Sequence, residues 1–214
     1  MKYVVIDLEM CFVPSQDVSK CGIRMEIIQL GATLLDDRFQ IAKEFNAFVK
    51  PQYGIINTFI QHLTGIENKD IAEAEPLEKV LESLRHWLPY DEFTFVSWSK
   101  TDLAQLREEL HSKNIHVPDE NKIFNTRVDA QRVFSDRIQS RSAYKLNKAL
   151  FMAGIDPVGT AHNGLSDAHN TAVLFSQMMQ DKMEISAYYE KSVSEKKTLG
   201  YSLSDMMKYI QLLA

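Results

Sequence analysis

Tyr3-Val4-Val5-Ile6-Asp7-Leu8-Glu9 is the segment from which the architecture of the chain follows. Its apolar, β-branched start predicts a buried strand over residues 2–9. Asp7 and Glu9 lie two positions apart at the end of this strand, so their side chains point to one face. Two carboxylates so close repel each other, and the pair therefore predicts a divalent metal ion that neutralises them. The alternative is a strand end that runs into solvent. The metal site is favoured only if residues elsewhere in the chain supply further ligands.

The composition is that of one soluble globular domain: of 214 residues, 45% are hydrophobic and 25% are charged. The first apolar run is too short for a secretion signal or a membrane span, so we expect a cytoplasmic protein without membrane association. The net charge of −5 argues against nucleic-acid binding by bulk electrostatics, although it leaves a local site open.

One segment, residues 122–148, is locally basic. Only Asp129 and Asp136 oppose its basic residues, which are Lys122, Arg127, Arg132, Arg137, Arg141, Lys145 and Lys148. The segment has two interpretations, a solvated helical face or a local contact surface for phosphates.

The remaining periodicity predicts a mixed α/β fold. Asp36-Asp37-Arg38 is a turn signal between two strands, which predicts a hairpin. The predicted strands are 2–9, 26–35, 39–49 and 93–98. The predicted helices cover 57–63, a segment with Pro76 at its first position, a segment containing Leu103, Leu106 and Leu110, then 145–152, and a segment that follows His162.

Two further acids occupy positions typical of ligand-binding residues. Asp102 lies where a strand passes into a helix, and Asp167 lies in the first turn of another helix. Each has a structural alternative, because an acid there also stabilises the helix dipole. His162 precedes Asp167 by five residues and predicts a general base, since imidazole accepts a proton near neutral pH. Its alternative is a surface histidine.

Five segments in this order resemble the DEDDh subgroup of 3′→5′ exonucleases, and the closest type is that of the histone-mRNA and RNAi-associated exonucleases. The segments are Asp7-x-Glu9, Glu26-Ile27-Ile28-Gln29-Leu30-Gly31-Ala32, His62-Leu63-Thr64-Gly65-Ile66, Trp98-Ser99-Lys100-Thr101-Asp102 and His162-x4-Asp167. The resemblance covers residues 1–180. It implies a ribonuclease-H-like α/β fold, with a mixed five-stranded sheet flanked by helices. Beyond it, a Ser202-x-x-Asp205 capping pattern after Gly200 predicts a final helix, and we expect a C-terminal helical extension over residues 181–214.

The resemblance also implies the catalytic groups. Asp7, Glu9 and Asp167 would hold a first metal ion, and Asp7 would bridge to a second. Asp102 would support the second ion, and His162 would be the general base. Carboxylate oxygens suit Mg²⁺ or Mn²⁺, so we expect two such ions per site.

For the substrate, the resemblance implies a 3′ end of single-stranded RNA or DNA. The backbone near Met10 would contact the terminal sugar, and Leu63 would wedge against the terminal base. Phe12 and Trp98 are candidate stacking platforms, although burial in the core is an equal alternative for Trp98. His162 would also face the substrate.

The chain departs from the family pattern at three places. Relatives often have glycine at Ser99 and an acid at Gln29, and Met10-Cys11-Phe12 is unusual after the acidic pair. Neither Ser99 nor Gln29 stands at a metal-ligand position of the family, so we expect the chemistry to be kept. Met10-Cys11-Phe12 would change substrate preference rather than activity.

Three other functions are alternatives to the exonuclease. A non-catalytic module on the same fold would bind RNA or a protein, using the basic segment and the C-terminal helix, and that helix would dock on the core or on a partner. A ribonuclease-H-like endonuclease would differ in accepting internal strands. A phosphatase with an Asp nucleophile is disfavoured, because that class needs a second Asp where Glu9 stands.

Overall fold

The structure is a computed structural model, and it describes residues 1–90, 92–118, 124, 127–187 and 189. The first three strands are long, and helices alternate with shorter strands after them. In chain order they are β1 (Lys2–Phe12), α1 (Ser15–Cys21), β2 (Met25–Leu35), β3 (Ile41–Lys50), α2 (Thr58–Thr64), α3 (Asn68–Ala72), β4 (Glu75–Pro76), α4 (Leu77–Trp87), β5 (Phe93–Ser97), α5 (Thr101–Ser112), β6 (Val128–Asp129), α6 (Ala130–Arg137), α7 (Leu146–Ala153) and α8 (Gly164–Met179).

The sheet is mixed, with the strand order β4-β3-β2-β1-β5-β6. β1 lies in the middle, antiparallel to β2 and parallel to β5. The predicted mixed sheet flanked by helices is confirmed, and the predicted hairpin is the β2–β3 pair. The described part of the sheet has six strands where five were expected. The two-residue strands β4 and β6 are too short to leave a periodic signal in the sequence.

Helices pack on both faces of the sheet, and the side chains of β1 point alternately to one face and the other. Val4, Ile6 and Leu8 are buried on the face that packs against α4 and α5. Val5 is buried on the other face, among residues of α6, α7 and α8. Asp7 and Glu9 follow Val5 at even spacing, so they belong to the face that α8 covers.

Local signals account for most helix boundaries. Asn57 caps α2 by accepting a hydrogen bond from the backbone N–H of Ile60, and Gly65 ends the helix in the left-handed conformation at φ 74°. Pro76, predicted as the first helical residue, is instead the N-cap of α4 and pairs with Lys50 in β4. Helices α1, α3 and α6 carry no long apolar stripe, and periodicity did not predict them.

Among the described residues, no helix combines the length and the apolar character needed to cross a bilayer. The predicted final helix with its Ser202-x-x-Asp205 cap lies outside the described residues. The division into residues 1–180 and 181–214 therefore stays a prediction.

Candidate metal and catalytic site

The two acids of β1 lie at the centre of the sheet, next to a break in its regular pairing. Asp7 is opposite Gly31 and Glu9 is opposite Gln29, and the register then shifts so that Met10 is opposite Ile27. Such a bulge interrupts the ladder and redirects the strand. Glu9 is only 7% exposed, so the strand presents a buried carboxylate next to this irregularity.

Asp102 reaches the same place from the end of β5. That strand ends at Ser97, and α5 begins at Thr101, so Asp102 lies in the first helical turn. Its carboxylate accepts hydrogen bonds from its own backbone N–H and from that of Leu8, which lies between the two acids of β1. Ser99, one of the departures from the family pattern, accepts a hydrogen bond from the N–H of Thr101 at 3.2 Å. The serine therefore stabilises the start of α5.

The helix α8 brings Asp167 to the cluster, because its N-terminus packs directly on β2. A Cβ atom added to Gly31 would lie 2.1 Å from the carbonyl carbon of Gly164, so only glycine permits this approach. The side chain of Gln29 adds a specific bond, since its Oε1 accepts the N–H of Gly164 at 2.9 Å. Its Nε2 donates to Oδ1 of Asn46 at 2.9 Å. Gln29, the second departure, thus anchors the first residue of α8.

Gly31→Ala should displace α8 and damage the site. The new methyl group would meet backbone atoms, which cannot rotate away, and overpacking of this kind costs about 1–3 kcal/mol. We expect kcat to fall by at least about tenfold, because small displacements of catalytic groups are costly.

The matched control for this variant is Gly22→Ala. Gly22 has φ 75°, and a Cβ atom added there would have no neighbour within 4 Å, so it tests backbone strain without a clash. The control should lose stability with little change in kcat. Equal kcat values for wild type and Gly31→Ala would contradict the assigned packing. Steady-state kinetics and denaturant unfolding of both variants make the comparison.

Asp167 and His162 are linked through the backbone. The N–H of His162 donates to Oδ2 of Asp167 at 2.8 Å. His162 has φ 59°, a left-handed conformation that costs a residue other than glycine of order 1 kcal/mol and is held only by surrounding contacts. Its ring is exposed, whereas Asp167 is buried. The loop before α8 thus holds a solvent-facing imidazole against a buried acid.

The predicted catalytic residues converge. One ligand atom from each of Glu9, His162 and Asp167 lies within 4.8 Å of the others. Asp7 and Asp102 lie close to these three residues, because the charges of Glu9, Asp102 and Asp167 add to the rise in the pKa of Asp7, and the charge of Asp167 adds to that of Asp102.

Burial is the main cause of these shifts, and charge repulsion adds to it. Burial, followed by repulsion from Asp102, Glu9 and Asp167, raises the pKa of Asp7 well above its ordinary value. The same two effects raise the pKa of Glu9 to about 8, and burial raises that of Asp102 to about 6. The pKa of Asp167 also rises through burial, although the His162 N–H opposes the change. A cation among these groups would let all of them ionise at neutral pH.

The donor set fits a hard divalent cation. Oδ1 of Asp167 is buried and, within the described part of the chain, accepts no hydrogen bond. An orphaned carboxylate oxygen among other carboxylates is costly unless an ion takes it as a ligand. Carboxylate oxygens are the ligands that Mg²⁺ and Mn²⁺ prefer.

The raised pKa values predict that a rise in pH lowers the stability of the metal-free protein and raises that of the metal-bound protein. The folded pKa of Glu9 is about 8, against about 4.3 for an unfolded chain. The folded state therefore binds more protons across this range, and metal-free stability falls as pH rises through it. Mn²⁺ should reverse the trend, because it binds the ionised carboxylates.

Thermal unfolding in EDTA and in Mn²⁺ across this pH range measures the effect. Glu9→Gln should flatten the EDTA profile and reduce the Mn²⁺ stabilisation. Profiles that coincide with and without Mn²⁺ would contradict the assignment of these acids to a metal site.

An apolar surface patch lies near the acids. Phe12 ends β1 and is 41% exposed, and its ring centroid lies 6.4 Å from that of Phe59 in α2. Ile55, which bridges to Phe12, and Leu63 are also exposed. We call these four residues the α2 patch. Phe59 and Leu63 are four positions apart in α2 and so lie on one face of the helix. The predicted substrate residues Phe12 and Leu63 are therefore both neighbours of Phe59, and Phe59 and Ile55 were not singled out in the sequence.

Trp98 lies in the core, which is the second of its two alternatives. It is 7% exposed, its ring packs against Phe134, and its Nε1 donates to the carbonyl oxygen of Tyr144. A buried ring offers no face to a base, so the stacking interpretation of Trp98 is set aside. Met10 is half-buried against the core, which leaves its backbone at the bulge as the part available for contact.

The described basic residues of 122–148 are all exposed, which fits a solvated surface. Arg132 pairs with Asp136, and Arg137 pairs with Asp181. Lys148 lies over the rings of Phe151 and Tyr189. Lys122 lies outside the described residues. Several of these charges therefore have partners within the chain.

Comparison with known proteins agrees with this geometry. Residues 4–175 match the sequence profile of a family described as Exonuclease (RNase_T). ERI1 exoribonuclease 2 of Xenopus laevis is 31% identical over 180 residues, which cover 73% of this chain and 26% of that protein. The probable 3′-5′ exonuclease KapD of Bacillus subtilis is 25% identical over 88% of this chain and 87% of its own length. The chain thus spans about a quarter of the ERI1 relative and most of KapD.

Solved structures share the fold. The nuclease domain of 3′hExo, a DEDDh family member bound to rAMP, superposes with a TM-score of 0.73 at 22% identity, covering 86% of this chain and 96% of that one. Cell-death related nuclease 4 gives a TM-score of 0.70 at 22% identity, over 86% of this chain and 65% of its own.

Proposed function

Because the chain belongs to the exonuclease family over residues 4–175, we propose that it is a metal-dependent 3′→5′ exonuclease of the DEDDh type. It would hydrolyse phosphodiester bonds at 3′ ends of single-stranded RNA or DNA and release nucleoside 5′-monophosphates. The observation that carries the proposal is the convergence of buried carboxylates with His162, including an Asp167 oxygen without a hydrogen-bond donor among the described residues.

The residues have separate roles in this proposal. Asp7, Glu9 and Asp167 would hold one Mg²⁺ or Mn²⁺ ion, with Asp7 shared with a second ion that Asp102 supports. When bound, two such ions neutralise phosphate oxygens, activate water and stabilise the leaving oxygen. His162 would take the proton of the attacking water, because its exposed ring lies beside Glu9 and Asp167.

The α2 patch is the proposed contact surface for the terminal nucleotides. Its apolar side chains are exposed next to the end of β1, so they can stack on bases without breaking packing inside the domain. Base stacking of this kind tolerates any sequence, because every base has a π-face.

Replacing Phe12 or Leu63 by alanine should therefore weaken substrate binding more than chemistry. For Phe12→Ala we expect KM for a single-stranded oligonucleotide to rise about 5- to 150-fold, since a base stacked on an aromatic ring contributes about 1–3 kcal/mol. Leu63→Ala should raise KM less, because leucine offers apolar contact without an aromatic face. The kcat value should stay within about threefold, because the groups that act on the phosphate are unchanged. Ile41→Ala, at an exposed apolar residue of β3, is the control. A fall in kcat with constant KM would contradict this role.

Two properties of the reaction test the proposal: the identity of the released products, and the requirement for a free 3′ end on the strand. A labelled linear strand should lose mononucleotides from its 3′ end, and the released label should be a nucleoside 5′-monophosphate. A strand with a blocked 3′ terminus and a circular single strand should both resist. Cleavage of the circle would favour a ribonuclease-H-like endonuclease, and binding without cleavage would favour a non-catalytic module.

A further inference from the structure

The loop that carries His162 is attached to α8 at three points. Residues 155–162 join α7 to α8, and we call them the histidine loop. Val158 is bonded to the side chain of Asn170, Gly159 lies against Ser166, and the His162 N–H donates to Asp167. The conformation of the histidine loop is therefore set by side chains of the helix that follows it.

Asn170 makes the most complete of these attachments. Its Oδ1 accepts the N–H of Val158 at 2.9 Å, and its Nδ2 donates to the carbonyl oxygen of the same residue at 3.0 Å. The amide thus pairs with Val158 as one strand residue pairs with another. Asn170 is 3% exposed, whereas Val158 is 57% exposed. Water can replace the amide at Val158, so the pair restrains the loop more than it stabilises the core.

Gly159 is a second point at which the backbone between Val158 and His162 is held against α8. It has φ 72°, and a Cβ atom there would lie 2.2 Å from Oγ of Ser166, so its backbone lies directly on α8. Ser166 is itself held, because its N–H and its hydroxyl both contact Oδ1 of Asn163. Only two residues then separate Gly159 from His162 with its left-handed backbone.

We propose that Asn170 is a positioning residue for His162 and acts on the reaction through the backbone of the histidine loop. The inference rests on the proposed function, in which His162 is the general base. Asp167 is placed independently, by the packing of Gly164 on Gly31 and by the Gln29 bond. Loss of the Asn170 amide therefore loosens the imidazole and leaves the metal-binding acids in place.

Asn170→Ala is the first test, with Ser176→Ala as the matched control. Ser176 lies in the same helix and donates to the carbonyl oxygen of Phe39 at 2.8 Å, so its loss removes a helix-to-loop bond elsewhere. Asn170→Ala should lower kcat by about 10- to 100-fold, as loss of outer supporting groups does. The KM value and the Mn²⁺ affinity measured by calorimetry should stay within about twofold. The control should change none of these.

Hydrogen–deuterium exchange provides a readout that does not depend on activity. Peptides that cover residues 155–162 should exchange faster in Asn170→Ala than in wild type or Ser176→Ala. Val158→Pro removes the backbone N–H that Asn170 accepts, and it does so at an exposed position of the loop. It therefore provides the same test if Asn170→Ala fails to fold. Unchanged exchange together with unchanged kcat would overturn the inference.

A double-mutant cycle with His162→Ala separates the two proposals. If Asn170 acts through His162, Asn170→Ala should have no further effect on kcat in the His162→Ala background. An equal fall in both backgrounds would overturn the positioning role while leaving the exonuclease proposal intact. Wild-type kcat in His162→Ala would instead overturn the assignment of the general base.

Discussion

Asp7→Asn should lower kcat by at least about 10³-fold while the metal-free protein remains folded. The carboxylate of Asp7 faces Glu9, Asp102 and Asp167, and it is the group proposed to be shared between the two ions. The amide keeps the shape of the side chain but removes the charge. We therefore expect Mn²⁺ affinity to fall in parallel with kcat, as measured by calorimetry and single-turnover cleavage.

The direction of the stability change distinguishes lost chemistry from a damaged fold. Burial, and then repulsion from its neighbours, raises the pKa of Asp7, so its charge destabilises the metal-free protein. In EDTA at slightly alkaline pH, Asp7→Asn should be at least as stable as wild type. Asp37→Asn, an exposed acid in the β2–β3 turn, is the control and should match wild type in every assay. Wild-type turnover by Asp7→Asn would remove Asp7 from the mechanism.

Lys113→Met should lower the free energy of unfolding by about 3–5 kcal/mol, the range for removing one partner of a buried ion pair. The Nζ atom of Lys113 lies 2.7 Å from Oε1 of Glu26 and 2.7 Å from Oε1 of Glu109. Both glutamate side chains are 0% exposed. Without the lysine, two like charges would remain together in the interior.

The pKa shifts in this cluster agree with a lysine that is charged and required. Burial alone would raise the pKa of Glu26, but hydrogen bonds from Lys113 and from backbone N–H groups lower it overall. For Glu109, burial dominates and its pKa is raised, while contact with the two carboxylates raises the pKa of Lys113 despite its burial. The variant should therefore lose less stability at acidic pH, where the glutamates can be protonated.

Denaturant unfolding of Lys113→Met and Lys79→Met gives the comparison. Lys79 pairs with Glu82 on the surface at 2.9 Å, and exposed pairs contribute little, so its midpoint should not move. The buried cluster also holds the segment that leads to α2, because Glu26 accepts the N–H groups of Gln52, Tyr53 and Gly54. Equal midpoints for the two variants would contradict the assigned role of Lys113.

Local patterns were sufficient to predict the four longer strands, β1, β2, β3 and β5, and the acids of the site. The apolar run before Asp7 predicted β1, and the segment that follows His162 predicted α8, because caps and periodicity act over a few residues. The i, i+2 spacing predicted that Asp7 and Glu9 share a face. Family order then predicted that Asp102, His162 and Asp167 join them. The structure places His162 and Asp167 beside Glu9, and Asp102 close enough to Asp167 for the two charges to interact.

Long-range contacts were not predictable in the same way. The approach of Gly31 to Gly164 and the pairing of Glu26 with Lys113 join residues far apart in the chain, and neither leaves a periodic pattern. Trp98 shows the same difficulty, because an indole ring suits either a stacking surface or the core. Only its packing against Phe134 in the structure shows that it belongs to the core. Gly31 did carry a signal, because glycine inside a strand often marks a close backbone approach.

The metal requirement and the direction of cleavage can be measured together in one time course. Purified wild-type protein is treated with EDTA, mixed with 5′-labelled single-stranded RNA and DNA, and sampled before and after excess Mg²⁺ or Mn²⁺ is added. If the acids act through bound metal, no strand is cleaved before addition, and afterwards the products form a ladder that shortens from the 3′ end. Shortening that continues in EDTA, or intact strands after both metals are supplied, would contradict a metal-dependent 3′→5′ exonuclease.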